Sequence, residues 1–484
     1  MESLNLFEKS TLIISSFLIL WNIWNGSFVN SDDIMYVEMA EGMSSGGGIL
    51  DLTYQGAVEH QKPPLAFWLM ALSGGLFGFG EFGMRLPTVL AAVFSLLFTA
   101  MIARELFKES RSSAYTVMLL TASAIFYFNS RRVMTDTIFL LGMLSFIWSY
   151  LKALGNPKFL ILSGISSGWM IMSKGPVSGI AFAPVLLDLF LRKRKDLIIS
   201  KHFLIGAALT LISTLPWHTA QTIRYGMEFW RDYIGFSVFE RAFESLFLKP
   251  DHFFYLKRFI DDEGILALLF LAGLCFTLWN LFKKKGDGER FLLIWILCAF
   301  LPFQVSQTKI PHYMLSLYPA LALMTSRFFS SLSARVVVSA AITALCAGIF
   351  FSHNAEDLLS PDYSRDQKEF AEFVKENSSE SDAVIAFNYY DLALAHYAGR
   401  RLNLITDDDN MYAILTRTPI LARSGCVELA SIEKIVSSLP VGTKLFTLAE
   451  NNLAGQVEQA LENSGRFSSV KTLKGARLTL ISGL

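Results

Sequence analysis

Residues 264–282 read GILALLFLAGLCFTLWNLF, an apolar stretch without a single charged side chain. At about 1.5 Å of rise per residue, such a run crosses the roughly 30 Å hydrocarbon layer of a bilayer as a helix. Asp261 and Asp262 precede it and Lys283 to Lys285 follow it. The basic end marks the cytoplasmic side, where short loops rich in Lys and Arg are retained. Working outward, similar segments recur near 11–29, 86–104, 113–129, 137–153, 159–173, 177–191, 203–217, 291–306, 313–328 and 335–352. With tilting and merging of the shorter ones, the expectation is a mainly α, polytopic chain of about 11 spans.

Composition agrees. Charged residues make up 17% of the 484 and hydrophobic residues 52%, with a mean hydropathy of +0.42. A soluble protein carries about 25% charged residues. Net charge is zero, so no basic field argues for nucleic acid. Cys275, Cys298 and Cys346 lie in apolar runs and Cys426 stands alone in the tail. The tail therefore closes no internal disulfide, and no zinc-type spacing occurs. The first apolar run is too long for a signal-peptide core and reads as an uncleaved signal anchor.

The loops set the threading. One set carries Arg104, Lys108 and Arg111; Lys152 and Lys158; Arg192 to Lys195 with Lys201; Lys283 to Lys285 with Arg290; and Arg327 with Arg335. These short basic loops belong to the cytoplasm. The other set includes a long first outer loop, 30–85, and a long fourth outer loop, 218–262. A cytoplasmic N-terminus, a membrane domain over 1–352 and a periplasmic soluble domain over 353–484 follow. The tail alternates helix (364–377), strand (383–387), helix (392–398), strand (402–405), helix (430–438), strand (444–448), helix (453–463) and a hairpin-like stretch (469–481), the order of a small α/β layer domain.

Ionisable groups at membrane depth are costly and mark function. On the outer face the first loop offers Asp32, Asp33 and Lys62; later turns offer Arg131, Arg132, Asp136 and Lys174. The fourth loop adds His218, Arg241 and Tyr255, and the fifth turn Lys309, His312 and Tyr313. Each has a plainer role: a helix cap for the Asp pair, snorkelling for Lys62, headgroup anchoring for Arg131 and Arg132, a turn for Lys174, an interfacial belt for the aromatics. Their gathering on one face favours an anionic phosphate ester with a nearby general base.

The same residues carry a family resemblance. Asp32-Asp33-Ile34-Met35-Tyr36, Gln61-Lys62-Pro63-Pro64-Leu65, Gly80-Glu81-Phe82-Gly83-Met84-Arg85-Leu86-Pro87, Met134-Thr135-Asp136-Thr137, Ser173-Lys174-Gly175-Pro176 and Lys309-Ile310-Pro311-His312-Tyr313 occur in that order. The chain resembles the C-type (GT-C) polyprenyl-phosphate-sugar glycosyltransferases, in particular the lipid A aminoarabinose transferases and, further off, the dolichyl-phosphate-mannose protein mannosyltransferases. The resemblance implies Asp32 as catalytic carboxylate with Asp33 beside it. It implies Lys62 and Arg241 on the donor phosphate, and Asp136, Lys174, Lys309 and Tyr313 as further site residues; the outer-face reading adds Arg131 to the phosphate and Tyr255 to the site candidates. Two positions depart from the pattern: Gln61 stands where Glu often precedes the lysine, and Met35 replaces a basic residue.

The resemblance implies a polyprenyl-phosphate sugar donor in the membrane lipid and an acceptor glycolipid, glycan or protein. It requires no cofactor, and a divalent metal is optional. The acceptor displaces the lipid phosphate in one inverting step on the outer face of the inner membrane. A polyprenyl-lipid flippase or transporter is the alternative. It also needs cations in an outer cavity, but it moves its lipid without cleaving the sugar.

Overall fold

The computed structural model describes residues 5–30, 32–246, 251–283, 286–333, 335–401 and 403–484. Lys284 and Lys285 of the expected basic loop, and Leu402 at the start of an expected strand, lie outside the described residues. The chain divides into two compact units. One holds the residues up to Ile23, His60–Leu76 and Phe82–Ser360; the other holds Trp24–Glu59, Phe77–Glu81 and Pro361–Leu484.

The first unit is helical, and each expected apolar segment overlaps a helix: Leu6–Leu20, Glu81–Phe107, Ser110–Ala122, Thr135–Ala153, Phe159–Lys174, Gly179–Leu191, Lys201–Tyr225, Ile265–Phe282, Asp287–Val305, Tyr318–Ser330 and Arg335–Leu359. Among the described residues, six helical stretches are long and apolar enough to cross a membrane. A seventh counts if Ala124–Ser130 and Thr135–Ala153, bent by 110°, form one span. The protein is an integral membrane protein.

Side-chain register shows how the chain reverses. Ser145 pairs with Ser166 and Ser149 with Ser163, both at 2.8 Å, so Phe159–Lys174 runs antiparallel to Thr135–Ala153. Lys174 then pairs with Asp136, whereas Asp188 accepts from Tyr150 at 2.6 Å. Gly179–Leu191 thus runs back parallel to Thr135–Ala153, and the apolar stretch 159–191 is two traverses joined at Gly175. Gly175 has φ +60, and a Cβ there would lie 2.6 Å from the Tyr233 hydroxyl. The turn accepts only glycine for both reasons.

The same reading gives the direction of the ends. Phe7 packs on Tyr115, and Tyr127 donates to the Leu18 carbonyl at 3.0 Å. Tyr115 also meets Ser339 at 2.6 Å, and Tyr127 packs edge-to-face against Phe350. The first and last helices both run parallel to the 110–130 segment.

Helices in lipid gain little from hydrophobic burial against one another, so small residues and hydroxyls set their contacts. Thr210 donates to the Gly164 carbonyl at 2.8 Å, and a Cβ on Gly164 would lie 2.1 Å from the Gly206 oxygen.

The second unit is built on a six-stranded sheet ordered Val427–Leu429, Leu404–Thr406, Ala383–Phe387, Leu445–Glu450, Leu478–Gly483, Val470–Lys474. The first four strands are parallel and the last two antiparallel. Alternate residues face opposite sides. Ile385, Phe387, Leu445 and Ile481 pack with Ile432 and Val457, while Val384, Phe446 and Leu480 pack with Phe370 and Val374. The expected α/β order is present, with three further elements: Asp409–Arg417, Pro419–Ser424 and the edge strand Val427–Leu429.

The expected division at 352/353 is corrected in two places. The last helix of the bundle continues to Leu359. The first outer loop is split: its helix Asp32–Gly42 and its hairpin Leu52–Tyr54/Ala57–Glu59 belong to the second unit. Hydrogen bonds are the reason. Tyr397 accepts from the Phe28 amide at 2.7 Å, Arg423 donates to the Val58 carbonyl at 2.8 Å, and Lys368 pairs with Glu81 at 2.6 Å.

Two outcomes are expected. Gly164→Leu forces the 159–174 and 201–225 helices apart, at a cost of about 1–3 kcal/mol for overpacking. A melting temperature several degrees lower in detergent reports it, and an unchanged one contradicts the close crossing. Green fluorescent protein fused after Leu484 should stay dark and alkaline phosphatase fused there should be active; a bright fluorescent fusion reverses the threading.

Candidate active site

The bent helix pair turns at 131–134 and presents Asp136 in the first turn of Thr135–Ala153. Lys174 is the last residue of Phe159–Lys174, held there by the Gly175 turn. The two form a buried ion pair, with side chains 5% and 9% exposed. The Lys174 ammonium also lies 5.4 Å from the centre of the Tyr313 ring. Tyr313 accepts from Arg241 Nη1 at 2.8 Å, and Arg241 Nη2 donates to Gln61 Oε1 at 3.0 Å. Lys62 follows Gln61 in the chain, and Lys62 and His312 both act electrostatically on Asp136. A small cleft lies here, lined by Asp136, Lys174, His312, Tyr313 and Ser316 together with the apolar Phe139, Leu140 and Phe303.

Arg241 is placed by its backbone. It follows the π-helical segment Arg231–Glu240, a geometry common at functional sites. Its carbonyl accepts from the Thr308 amide at 3.0 Å and the Ala242 carbonyl from the Gln307 amide at 3.0 Å. The fourth loop and the fifth turn are thereby zipped together. Asp136, Lys174, Arg241, Tyr313, Gln61 and Lys62, scattered through the sequence, come together in the first unit.

Lys309 and Tyr255 serve the same turn differently. Lys309 Nζ donates to the carbonyls of Gln304 at 2.6 Å and Ser306 at 3.0 Å, closing the end of Asp287–Val305. Its ammonium also lies 5.4 Å from the centre of the Tyr255 ring. The Tyr255 hydroxyl accepts from the Ile310 amide at 3.3 Å. Both residues shape the loop that carries His312 and Tyr313.

Arg131 is corrected from a phosphate ligand to a helix cap. It is fully buried, and its Nη1 donates to the carbonyls of Leu18 (3.1 Å), Ile19 (3.2 Å) and Trp21 (2.6 Å). Its Nη2 donates to the Asp357 carbonyl at 3.1 Å, and the Asp357 carboxylate lies 3.5 Å from Nε. Carbonyls at a helix end have no partner within the helix and need such a donor. The guanidinium also explains why Leu6–Leu20 stops short of the expected end at 29.

Asp32 and Asp33 open the helix Asp32–Gly42 in the second unit. Asp33 is 1% exposed, whereas Asp32 is partly exposed. Asp32 acts electrostatically on Tyr390. Beside Tyr390, burial pushes the Asp391 carboxyl up to about 6, opposed by hydrogen bonds from Leu394 N and Gln367. Sequence reasoning did not assign a role to Asn30, which bonds the 390–392 turn, or to His312 in the cleft.

Among the described residues, no group of three or more His, Cys, Asp or Glu is arranged to hold a metal ion. Where the resemblance places a carboxylate, the Gln61 oxygen accepts from a guanidinium.

The family model described as dolichyl-phosphate-mannose-protein mannosyltransferase matches residues 61–219. An uncharacterised protein of Aquifex aeolicus is 27% identical over 69% of this chain and 66% of its own length. The undecaprenyl phosphate-alpha-4-amino-4-deoxy-L-arabinose arabinosyl transferase of Edwardsiella ictaluri is 27% identical over 62% of this chain and 55% of its own. The chain thus spans between about half and two thirds of the curated relatives it matches. The crystal structure of ArnT from Cupriavidus metallidurans bound to undecaprenyl phosphate superposes with TM-score 0.77 and 15% identity, covering 98% of each chain. The Archaeoglobus fulgidus oligosaccharyltransferase gives TM-score 0.61 at 13% identity, over 94% of this chain and 71% of that one.

Arg131→Ala should leave helix-end carbonyls and Asp357 without their buried donor, a loss of about 3–5 kcal/mol. The expected readout is a large fall in melting temperature or no folded protein on size exclusion. Wild-type stability in Arg131→Ala would return this residue to the ligand candidates.

Proposed function

We propose that the chain is a C-type glycosyltransferase that transfers a sugar from a polyprenyl-phosphate donor to an acceptor on the outer face of the inner membrane, a reading supported by its likeness in fold to ArnT. The observation that carries the reading is the linked set Asp136–Lys174 and Tyr313–Arg241–Gln61 beside Lys62. It gathers cations from several turns beside a small cleft lined by both polar and apolar side chains. Such a cluster suits an anionic head group.

The proposed reaction is one displacement. The acceptor hydroxyl or amine attacks the anomeric carbon while the bond from that carbon to the phosphate oxygen breaks, which inverts the centre. Asp32 takes the acceptor proton as general base. Lys62 and Arg241 hold the phosphate, whose charge grows as it departs, and preorganised cations stabilise that charge most. Tyr313 and Gln61 fix the plane of the Arg241 fork, and Asp136 fixes Lys174. The names of the Edwardsiella relative and of the Cupriavidus structure support undecaprenyl phosphate as the lipid and a pentose as the sugar. A lipid A-like glycolipid, a glycan or a protein is the proposed acceptor.

Purified protein in detergent, given a radiolabelled polyprenyl-phosphate sugar, should release the polyprenyl phosphate. Lys62→Ala and Arg241→Ala should each lower transfer about a hundredfold or more, as loss of a charged contact to a developing oxyanion does. Asp32→Asn, which keeps shape but cannot take a proton, should abolish turnover with donor binding intact; Asp33→Asn should cost about tenfold. Movement of the intact donor across vesicles without cleavage would instead establish the flippase.

A further inference from the structure

In the second unit the chain leaves Ala383–Phe387 toward Leu404–Thr406 and Val427–Leu429 on one side, then returns to Leu445–Glu450 on the other. The connections therefore diverge at the carboxyl ends of Ala383–Phe387 and Leu445–Glu450. In open α/β sheets this crevice is where ligands bind. Here a side chain of the protein itself reaches it. Asn30 Nδ2 donates to the Tyr390 carbonyl at 3.0 Å, and its Oδ1 accepts from the Leu392 amide at 2.7 Å. The Tyr389 phenol hydrogen-bonds the Asn30 side chain and lies in electrostatic reach of Glu450 and Arg477. Two more bonds pin the approach to Asn30: Ser27 donates to Asp362 at 2.6 Å, and Tyr397 accepts from the Phe28 amide at 2.7 Å.

We propose that Asn30 is a positioning residue for Asp32, and that the C-terminal sheet uses its switch-point crevice to hold the loop carrying the general base. The proposal rests on the reading of Asp32 given above. Asp32 is two residues beyond Asn30, a reach of at most about 7 Å, and it acts on Tyr390 in the same turn. A two-sided amide clamp so near fixes where the helix Asp32–Gly42 begins. A displacement of about 1 Å at a reacting group costs up to about a hundredfold in rate. The C-terminal domain thereby contributes to the chemical step without touching the reacting atoms.

The test measures kcat, donor KM and melting temperature on the full-length protein in detergent. Asn30→Ala removes both bonds. It should lower kcat about 10- to 100-fold and leave donor KM within about twofold. Asn30→Asp keeps the oxygen that accepts from Leu392 and should recover part of kcat. Wild-type kcat in folded Asn30→Ala, or a parallel loss of kcat, donor affinity and melting temperature, overturns the proposal. If Asn30→Ala does not yield folded protein, Tyr389→Phe decides: several-fold lower kcat at unchanged donor KM supports the clamp, and wild-type kcat overturns it. Asp32→Asn in the same assay reads the premise by itself. Full activity there removes the base, whereas a dead Asp32→Asn with full activity in Asn30→Ala removes only the positioning role.

Discussion

Hydrocarbon offers no hydrogen bonds, so a chain that crosses it must pair every backbone amide and carbonyl from its own atoms. This constraint explains more of the bundle than hydrophobicity does. At several helix ends in the bundle a polar side chain meets the exposed backbone. Arg131 gathers the carbonyls of Leu18, Ile19 and Trp21. Lys309 closes the end of Asp287–Val305. Glu263 accepts from the Ser123 hydroxyl at 2.8 Å and the Ile125 amide at 3.1 Å, at the start of Ala124–Ser130. The broken helices are possible because these charged caps exist, and the breaks in turn leave polar residues on the loops.

The Asp136–Lys174 pair shows the same economy applied to chemistry. Two charges removed from water repay their desolvation only when geometry and further contacts are good, and removing one partner of a buried pair costs about 3–5 kcal/mol. Each partner is accordingly held by a constrained turn, the 110° bend on one side and the Gly175 turn on the other. Lys174 against the Tyr313 ring, and Tyr313 under Arg241, connect this pair to the fourth loop. Three turns are thus linked by side-chain contacts, the preorganisation that the proposed stabilisation of a leaving phosphate requires.

Much of this was legible in the sequence. Apolar runs, basic loops and the α/β order of the tail are local patterns, and they correspond to the observed helices and to the central strands. What escaped was set by long-range contact. Val427–Leu429 is a partly exposed edge strand of three residues, too short for its alternation to announce it. The split of the first loop depends on pairs such as Phe28 with Tyr397 and Val58 with Arg423, each separated by more than 300 residues. Arg131 was misread because a guanidinium on the outer side violates the charge rule whether it binds a ligand or a helix end; only the carbonyls around it tell which. Asp136, Lys174, Arg241 and Tyr313 were legible as residues, but the order in which they touch was not.

The adjacent carboxylates Asp32 and Asp33 illustrate how burial assigns roles that residue type cannot. They are chemically identical and share the first turn of one helix, where the positive end of the backbone dipole stabilises both anions. Successive helical positions point about 100° apart, so one side chain turns inward and the other out. Asp33 is 1% exposed. Asp32 keeps an accessible face, and a general base must reach the proton it takes. Of the two carboxylates, Asp32 is the more accessible. The proposed base is therefore selected by the register of the helix, and that register begins where the Asn30 clamp holds the preceding loop.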